Sequence, residues 1–411
     1  MTTIRTMLMT ASAICATGYA QAAELEVMHW WTSGGEAAAV AELARALNER
    51  TDHTWIDGAI AGSGQTARPI MISRITGGDP MAAFQFNHGR QAEELIEAGL
   101  LRDMTDVATA EGWADIVNPP LLLDACTVDG RIYCAPISIH SWQWLWLSHK
   151  AYADAGIPVP TTWDEFVAAA PALEAAGKVP LAMGQQGWQQ NGAFQVMMVS
   201  LLPKEIYLKV YDEKDPETAR GPEVARIFQA IADAREMSAD TRVQDWNQAT
   251  NKVITGEAGG QIMGDWAQGE FQLAGLVAGE DYTCLPGLGM NQTLLAGGDA
   301  FYFPLVEDEE MSAAQADLAA LFLAPETQVA FNLKKGSLPV RGDIDLSAAN
   351  DCMKKGLEIL ASGEAVPDVN QLVSADSLKQ FEDLFAEFFA DPAMTAEDAQ
   401  ERFAALIEDA D

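Results

Sequence analysis

Eleven tryptophans lie in this 411-residue chain, and their placement carries more information than their number. Trp30 ends the stretch LEVMHW and Trp31 follows it, Trp266 follows Gly264-Asp265, and Trp188 and Trp246 sit in polar, loop-like contexts. An indole face covers the C–H side of a pyranose ring, while a planar amide, carboxylate or cation engages two neighbouring hydroxyls at the ring edge. Glu36, Gln65, His88, Asp265, Asp299 and Lys335 can supply that polar half. The two sets together point to carbohydrate recognition. Each residue also has a plainer role. Aromatics dominate cores, so any one tryptophan can be a half-buried core side chain, and Trp142, Trp144 and Trp146, alternating along one strand face, are read that way. Glu36 is favourable in the first turn of a helix whatever the function, Lys335 suits a solvated helix end, and Asp299 suits a turn. Glu36, Asp265 and Asp299 also allow a second chemistry, that of a secreted glycoside hydrolase, which needs two carboxyl groups about 5 to 9.5 Å apart. No G-x-S-x-G elbow, H-E-x-x-H metal motif or Walker phosphate loop occurs, which removes the commonest other enzyme classes. No catalytic residue, metal or cofactor is assigned.

An α/β scaffold must hold these side chains. LEVMHW (25–30), TWIDGAIA (54–61) and MAAFQFN (81–87) read as strands alternating with helices, the first helix opened by Ser33-Gly34-Gly35-Glu36. That is the pattern of an open sheet covered on both faces. Small ligands sit outside the carboxyl ends of such strands, so residues just after Trp30, Ala61 and Asn87 are site candidates by position. APISIHSWQWLWLS (135–148) is one long apolar strand run able to pass between domains. A second α/β unit begins at GIPVPTTWDEF, where Thr162 and Glu165 form a capping box. Helices are expected near 191–202, 222–236 and 247–256, then a strand-to-helix junction at QIMGDWAQGEF (261–271). GGDAFYFP (297–304) is expected to return as a strand to the first domain, followed by helices to the end. Length and a hydrophobic content of 49% support two domains.

Charge and export narrow the partners. The chain has 25 Lys and Arg against 60 Asp and Glu, a formal net charge of -35, which repels nucleic-acid phosphates and anionic lipid headgroups. Residues 1–22 combine an early Arg5, an apolar stretch from Met7 to Tyr19 and the small-residue pattern Ala20-Gln21-Ala22, as in a secretory signal peptide. No later stretch is long and apolar enough to span a bilayer, so a soluble, monomeric, periplasmic product is expected. Cys15 leaves with the signal, and four cysteines remain in a compartment that permits disulfides. Cys126 and Cys134 bracket Asp129-Gly130, and a three-residue hairpin loop at 129–131 would set them opposite each other. Cys284 and Cys352 then pair by elimination. Three connectivities are open in principle, and free buried thiols are the alternative.

The ordered segments HWWTSGGE, YCAPISIHSWQWLWLSHKA, GIPVPTTWDEF, MGDWAQGEF and KKGSLPVR resemble the signatures of monosaccharide-binding proteins of ABC importers, within extracellular solute-binding family 1 and its glucose-binding subgroup. The resemblance spans nearly the whole mature chain. It implies a two-lobed α/β periplasmic-binding-protein fold (type II) joined by crossing hinge segments, with one sugar in the cleft and a membrane permease as partner. The lobes expected are residues 24–140 plus 297–342 and residues 141–296 plus 343–411. By resemblance Trp30, Trp31, Trp246 and Trp266 are aromatic walls, and Glu36, Asp299 and Lys335 hold sugar hydroxyls. Gly64, Gln65, Trp188 and His140 match cleft-lining segments, and Arg341 a hinge or site position. Two departures stand out. Glucose binders carry a lysine where this chain has His88, and a late histidine where it has Asn370 or, one residue out of register, Gln371. Both alter the donors offered to ligand, so galactose, mannose, xylose or a small glucoside are alternatives to glucose. A sensor protein that docks a receptor rather than a permease shares all these features.

Overall fold

The computed structural model describes residues 22–411; all but the last residue of the expected signal peptide lies outside them. The strands are β1 (Glu24–His29), β2 (Thr54–Ala59), β3 (Ala83–Asn87), β4 (Thr127–Val128), β5 (Arg131–Ile132), β6 (Cys134–His140), β7 (Trp144–Ser148), β8 (Val179–Leu181), β9 (Ala258–Ile262), β10 (Tyr282–Pro286), β11 (Leu294–Tyr302) and β12 (Ala365–Pro367). Two sheets organise two lobes. The first runs β12-β11-β3-β1-β2, with β6 also on β11. β1 pairs in parallel with β2 and β3, whereas β11 runs antiparallel to β3 and β6. Helix Gly34–Arg50 crosses from β1 to β2 and buries Ala39, Val40, Leu43, Ala46 and Leu47, a three-and-four spacing that lays one apolar stripe on the sheet. The second sheet runs β10-β7-β9-β8, and beside it Phe194 packs with Phe228, Phe385 and Phe403 from three other helices.

The long apolar run 135–148 is divided between the lobes. Its first half is β6 in one sheet and its second half β7 in the other, with Ser141, Trp142 and Gln143 as the crossing. A second crossing joins β10 to β11. Residues 343–367, grouped with the second lobe on the sequence, attach here to both. β12 pairs with Leu294–Ala296 of β11, and helix Asp351–Ser362 sends Met353 and Ile359 into the first core and Cys352 into the second. Helices Ala375–Ala390 and Ala396–Glu408 then pack on the second lobe, through Phe381, Phe385 and Phe403.

Two local expectations need correction. The hairpin loop is two residues, not three: Val128 pairs with Arg131, and Asp129 and Gly130 both take positive φ, 51° and 75°, the geometry of a primed turn. Cys126 is therefore one residue out of direct register with Cys134, yet their Cα atoms lie 5.1 Å apart and the bond forms. Cys284 and Cys352 form the other disulfide. At the helix Trp163–Ala175, Thr162 caps the Glu165 amide, but the Glu165 carboxylate accepts from the amide and hydroxyl of Thr161 rather than closing a box.

Candidate functional site

The carboxyl ends of the parallel strands open on one cavity of about 220 Å³ between the lobes. Trp30 and Trp31 reach it from the end of β1, Gly64 and Gln65 from the first turn of the helix that follows β2, and Asn87 from the end of β3. Across from them stand Trp188, Trp246 and Trp266, the last placed just beyond β9. Glu36, His140, Lys335 and Asn370 complete the predicted residues that line it.

The aromatic wall is mostly a cluster of the second lobe. Trp142 stands perpendicular to Trp266 at 4.8 Å between ring centres and packs edge-on to Trp188 at 5.7 Å. Trp246 meets Trp266 edge-on at 6.4 Å. These rings come so close to the backbone that a Cβ on Gly192 would sit 2.4 Å from Trp142, and one on Gly264 would sit 2.1 Å from Trp266. Glycine is thus required for packing at both positions. Trp142 had been read as core; it lies in the crossing before β7, so it leaves the strand alternation that buries Trp144 and Trp146. Trp31, by contrast, is more core than wall. It is 2% exposed and braced by Phe301 and Phe331, while the Lys335 ammonium lies 5.1 Å from its ring centre.

The polar half divides into side chains in the cavity and side chains behind it. Asp299, fully buried, does not line the cavity. It accepts from Lys335 Nζ at 2.6 Å, Gln85 Nε2 at 2.6 Å and Ser138 Oγ at 3.2 Å, and it also bonds the His140 ring. Burial pushes its carboxyl up, but His140 and Lys335 more than offset this and hold it far below the usual carboxylate range. Asp299 therefore fixes the cation and imidazole that do face the cavity. Burial lowers the pKa of His140, with Asp299 opposing.

His88 is also behind the wall, fully buried next to Gly298, and neither ring nitrogen has a hydrogen-bond partner among the described residues. Burial, helped by nearby His140, lowers its pKa to about 4, so the ring is neutral at ordinary pH. Asp265 does not line the cavity either. Its carboxylate takes the amide and hydroxyl of Ser141 at 3.0 and 2.8 Å, which pins the crossing that carries Trp142. Burial pushes its pKa up to about 7, with Lys335 opposing. Arg341 is likewise outside, engaged by Asp343 and the Leu323 carbonyl. Of the two residues offered at the C-terminal segment, Gln371 donates to Ala296 O, and Asn370 lines the cavity.

Glu36 serves two purposes. It closes the capping box with Ser33 at the start of its helix, and it faces the cavity, where burial raises its pKa to about 7 against the pull of Lys335. Sequence reasoning missed Arg68, Asn191, Asp368 and Glu382, all of which line the cavity. Arg68 follows Gln65 by three residues on helix Ser63–Thr76, hence the same face, and its guanidinium lies 5.9 Å from the Trp30 ring centre. Both look toward Glu382 on helix Ala375–Ala390. Gln65 Nε2 donates to Glu382 Oε2 at 2.7 Å, and Gly35 N to Glu270 Oε1 at 2.7 Å, which are bonds from one lobe to the other. Of the three carboxyl groups considered for glycoside hydrolysis, Glu36 alone lines the cavity. Among the described residues, no group of three His, Cys, Asp or Glu side chains is placed to hold a metal ion, and no helix is long and apolar enough to cross a membrane.

Comparisons with known proteins agree with this geometry. The sequence profile of the family described as bacterial extracellular solute-binding protein matches residues 32–286, more than half of the chain. A Brucella melitensis protein named "probable sugar-binding periplasmic protein" is 36% identical over 335 residues, covering 81% of this chain and 78% of its own. Among solved structures, a chitin oligosaccharide binding protein superposes with a TM-score of 0.77 at 21% identity, covering 95% of this chain and 99% of its own. A bacterial solute receptor with an exclusive preference for β-D-galactopyranose gives 0.76 at 18% identity, covering 95% and 98%. Homologues and fold are those of solute-binding proteins, not of enzymes. With a two-lobed architecture, a cavity between the lobes and the family profile over most of it, this chain belongs to the bacterial extracellular solute-binding protein family.

Proposed function

We propose that this chain is the periplasmic sugar-binding component of an ABC importer, holding one neutral monosaccharide, glucose or a related hexose or pentose, and delivering it as a monomer to a membrane permease. The name of the 36% identical Brucella relative supports the sugar class. The observation that carries the monosaccharide reading is the cavity itself. Its volume of about 220 Å³ is below the ~300–1,000 Å³ usual for larger drug-sized ligands, and suits one ring with its hydroxyls. Trp30 from one lobe and Trp142, Trp188, Trp246 and Trp266 from the other offer indole faces and edges to the C–H surface of a ring. Glu36, Asp368 and Glu382 accept from hydroxyls, Arg68 and Lys335 donate, and Asn191, whose buried side-chain oxygen has no partner among the described residues, accepts.

Bonds between the lobes couple their separation to ligand exchange. Gln65–Glu382 joins two cavity-lining residues and Gly35–Glu270 a residue next to Glu36, so parting them widens the way in and out for a ligand. Rigid lobes moving on short crossings provide such a motion. Stacking plus several paired hydrogen bonds suffices for micromolar affinity, about -8 kcal/mol. Titration calorimetry of the mature chain with a panel of hexoses, pentoses and their disaccharides tests this reading. One-to-one heat with a monosaccharide is expected. Binding only of disaccharides or longer chains, or of no sugar, overturns it.

A further inference from the structure

We propose that the cavity accepts an aminohexose, a pyranose bearing a protonated amine, at least as tightly as the uncharged parent, and excludes the corresponding uronic acid. This rests on the monosaccharide reading above and specifies its substrate class. The basis is the pairing of charges around the cavity, whose lining includes the carboxylates Glu36, Asp245, Asp368 and Glu382 but only two side-chain cations, Arg68 and Lys335. Lys335 has a counter-charge in contact, whereas Arg68 has only the field of Glu382. Lys335 is bound to Asp299 at 2.6 Å, behind the wall. Arg68 makes no hydrogen bond among the described residues, and the field of Glu382 is what supports its charge against burial. Arg341, the other basic residue the sequence offered, lies outside the cavity and is tied to Asp343.

Among the four acids, Asp245 is capped into the start of helix Trp246–Thr255 and receives Gln186, and Glu382 has Arg68 and Gln65. Glu36 and Asp368 remain without an ion pair in contact, Lys335 acting on the first and His140 on the second only through their fields. Each uses one carboxylate oxygen locally: Glu36 Oε2 accepts from Ser33 N at 3.3 Å, and Asp368 Oδ1 from Asn370 N at 2.9 Å. Their other oxygens, Glu36 Oε1 and Asp368 Oδ2, have no hydrogen-bond partner among the described residues. These are 8% and 2% exposed residues, and burial drives the pKa of each upward. An ammonium has three donors and no acceptor, so it satisfies such oxygens and supplies the missing charge. A ligand carboxylate entering the same space meets like charge in a desolvated cavity.

The test is titration calorimetry of the mature chain at neutral pH and low salt. Glucose, glucosamine and glucuronate form one series; galactose, galactosamine and galacturonate form the other. In the series whose parent binds, the aminohexose is expected to match or exceed the parent, its advantage shrinking with added salt, and the uronate to bind about tenfold more weakly or worse. Glu36→Gln and Asp368→Asn, each checked for an unchanged fold by circular dichroism, are expected to weaken the aminohexose more than the parent. An aminohexose weaker than its parent, with the parent bound, overturns the proposal while leaving the monosaccharide reading standing. Silence of every parent and every amine overturns that reading itself.

Discussion

Removing the Asp299 carboxylate charge is the most informative single change. Asp299 is fully buried, and its partner Lys335 is 1% exposed; the two meet at 2.6 Å. Asp299→Asn keeps the shape and one acceptor but leaves the ammonium without its counter-charge, and it puts an amide where Lys335, Gln85 and Ser138 need an acceptor. Breaking a buried pair from one side costs about 3–5 kcal/mol. At ~2–4 °C per kcal/mol for lobes of this size, the melting temperature should fall by on the order of 10 °C. Lys335→Met should cost a comparable amount, since it strands the carboxylate. The double variant removes both charges together, so it should be no worse than the worse single variant. Thermal melts of the four proteins by calorimetry close the cycle. Single costs below about 1 kcal/mol, or costs that add within ~0.5 kcal/mol, would refute the reasoning, because they would mean the two charges are not coupled. Sign follows from the depressed Asp299 pKa: the stability it contributes is present above the unfolded carboxylate range and is lost as pH falls below it.

Glu36 predicts the opposite slope. Its pKa rises from 4.5 to about 7 on folding, so the folded state binds the extra proton, and stability falls as pH climbs from about 4.5 to about 7. Glu36→Gln should therefore stabilise the ligand-free protein above pH 7, by up to ~3 kcal/mol, and change little at the acid end, as read by melts across pH. The two disulfides should differ in worth. Cys284–Cys352 spans 68 residues and Cys126–Cys134 spans 8, giving about 4.4 and about 2.5 kcal/mol by loop-closure entropy; serine pairs compared in denaturant melts should keep that order. Trp30→Ala removes the indole that the first lobe brings to the ligand and the surface under Arg68. A loss of about 2 kcal/mol, roughly 30-fold in Kd by titration, is expected.

Much of the fold was legible because its signals are local. Alternating strand and helix patterns placed β1, β2 and β3 within a few residues, and the rule that ligands sit beyond the carboxyl ends of parallel strands led from them to Trp30, Gln65 and Asn87. The bend at Ser141–Gln143 was not legible. Nothing in the apolar run 135–148 marks it, and it is held by Asp265, a residue 124 positions away. That is why Trp142 passed for a core residue. Asp299 and His88 have the side-chain types of a sugar site, but β11 places Asp299 between β3 and β6 and His88 beneath Gly298, and side-chain type carries no information about depth. Arg68 had a signal that went unused, its spacing of three from Gln65 on one helix. Asp368 and Glu382 had none, because they reach the cavity from just after β12 and from helix Ala375–Ala390, whose position is set by packing of Phe381 and Phe385 far from any motif.

The measurement closest to the central claim is a crystal structure of the mature chain with the sugar that titrates most tightly. Density for a single ring is expected in the cavity, against indole faces from Trp30 on one side and the Trp142–Trp266 cluster on the other, with its hydroxyls on Glu36, Asp368 and Lys335. A sugar bound elsewhere on the surface, or a chain of rings running out of the cavity past the Gln65–Glu382 bond, would contradict it.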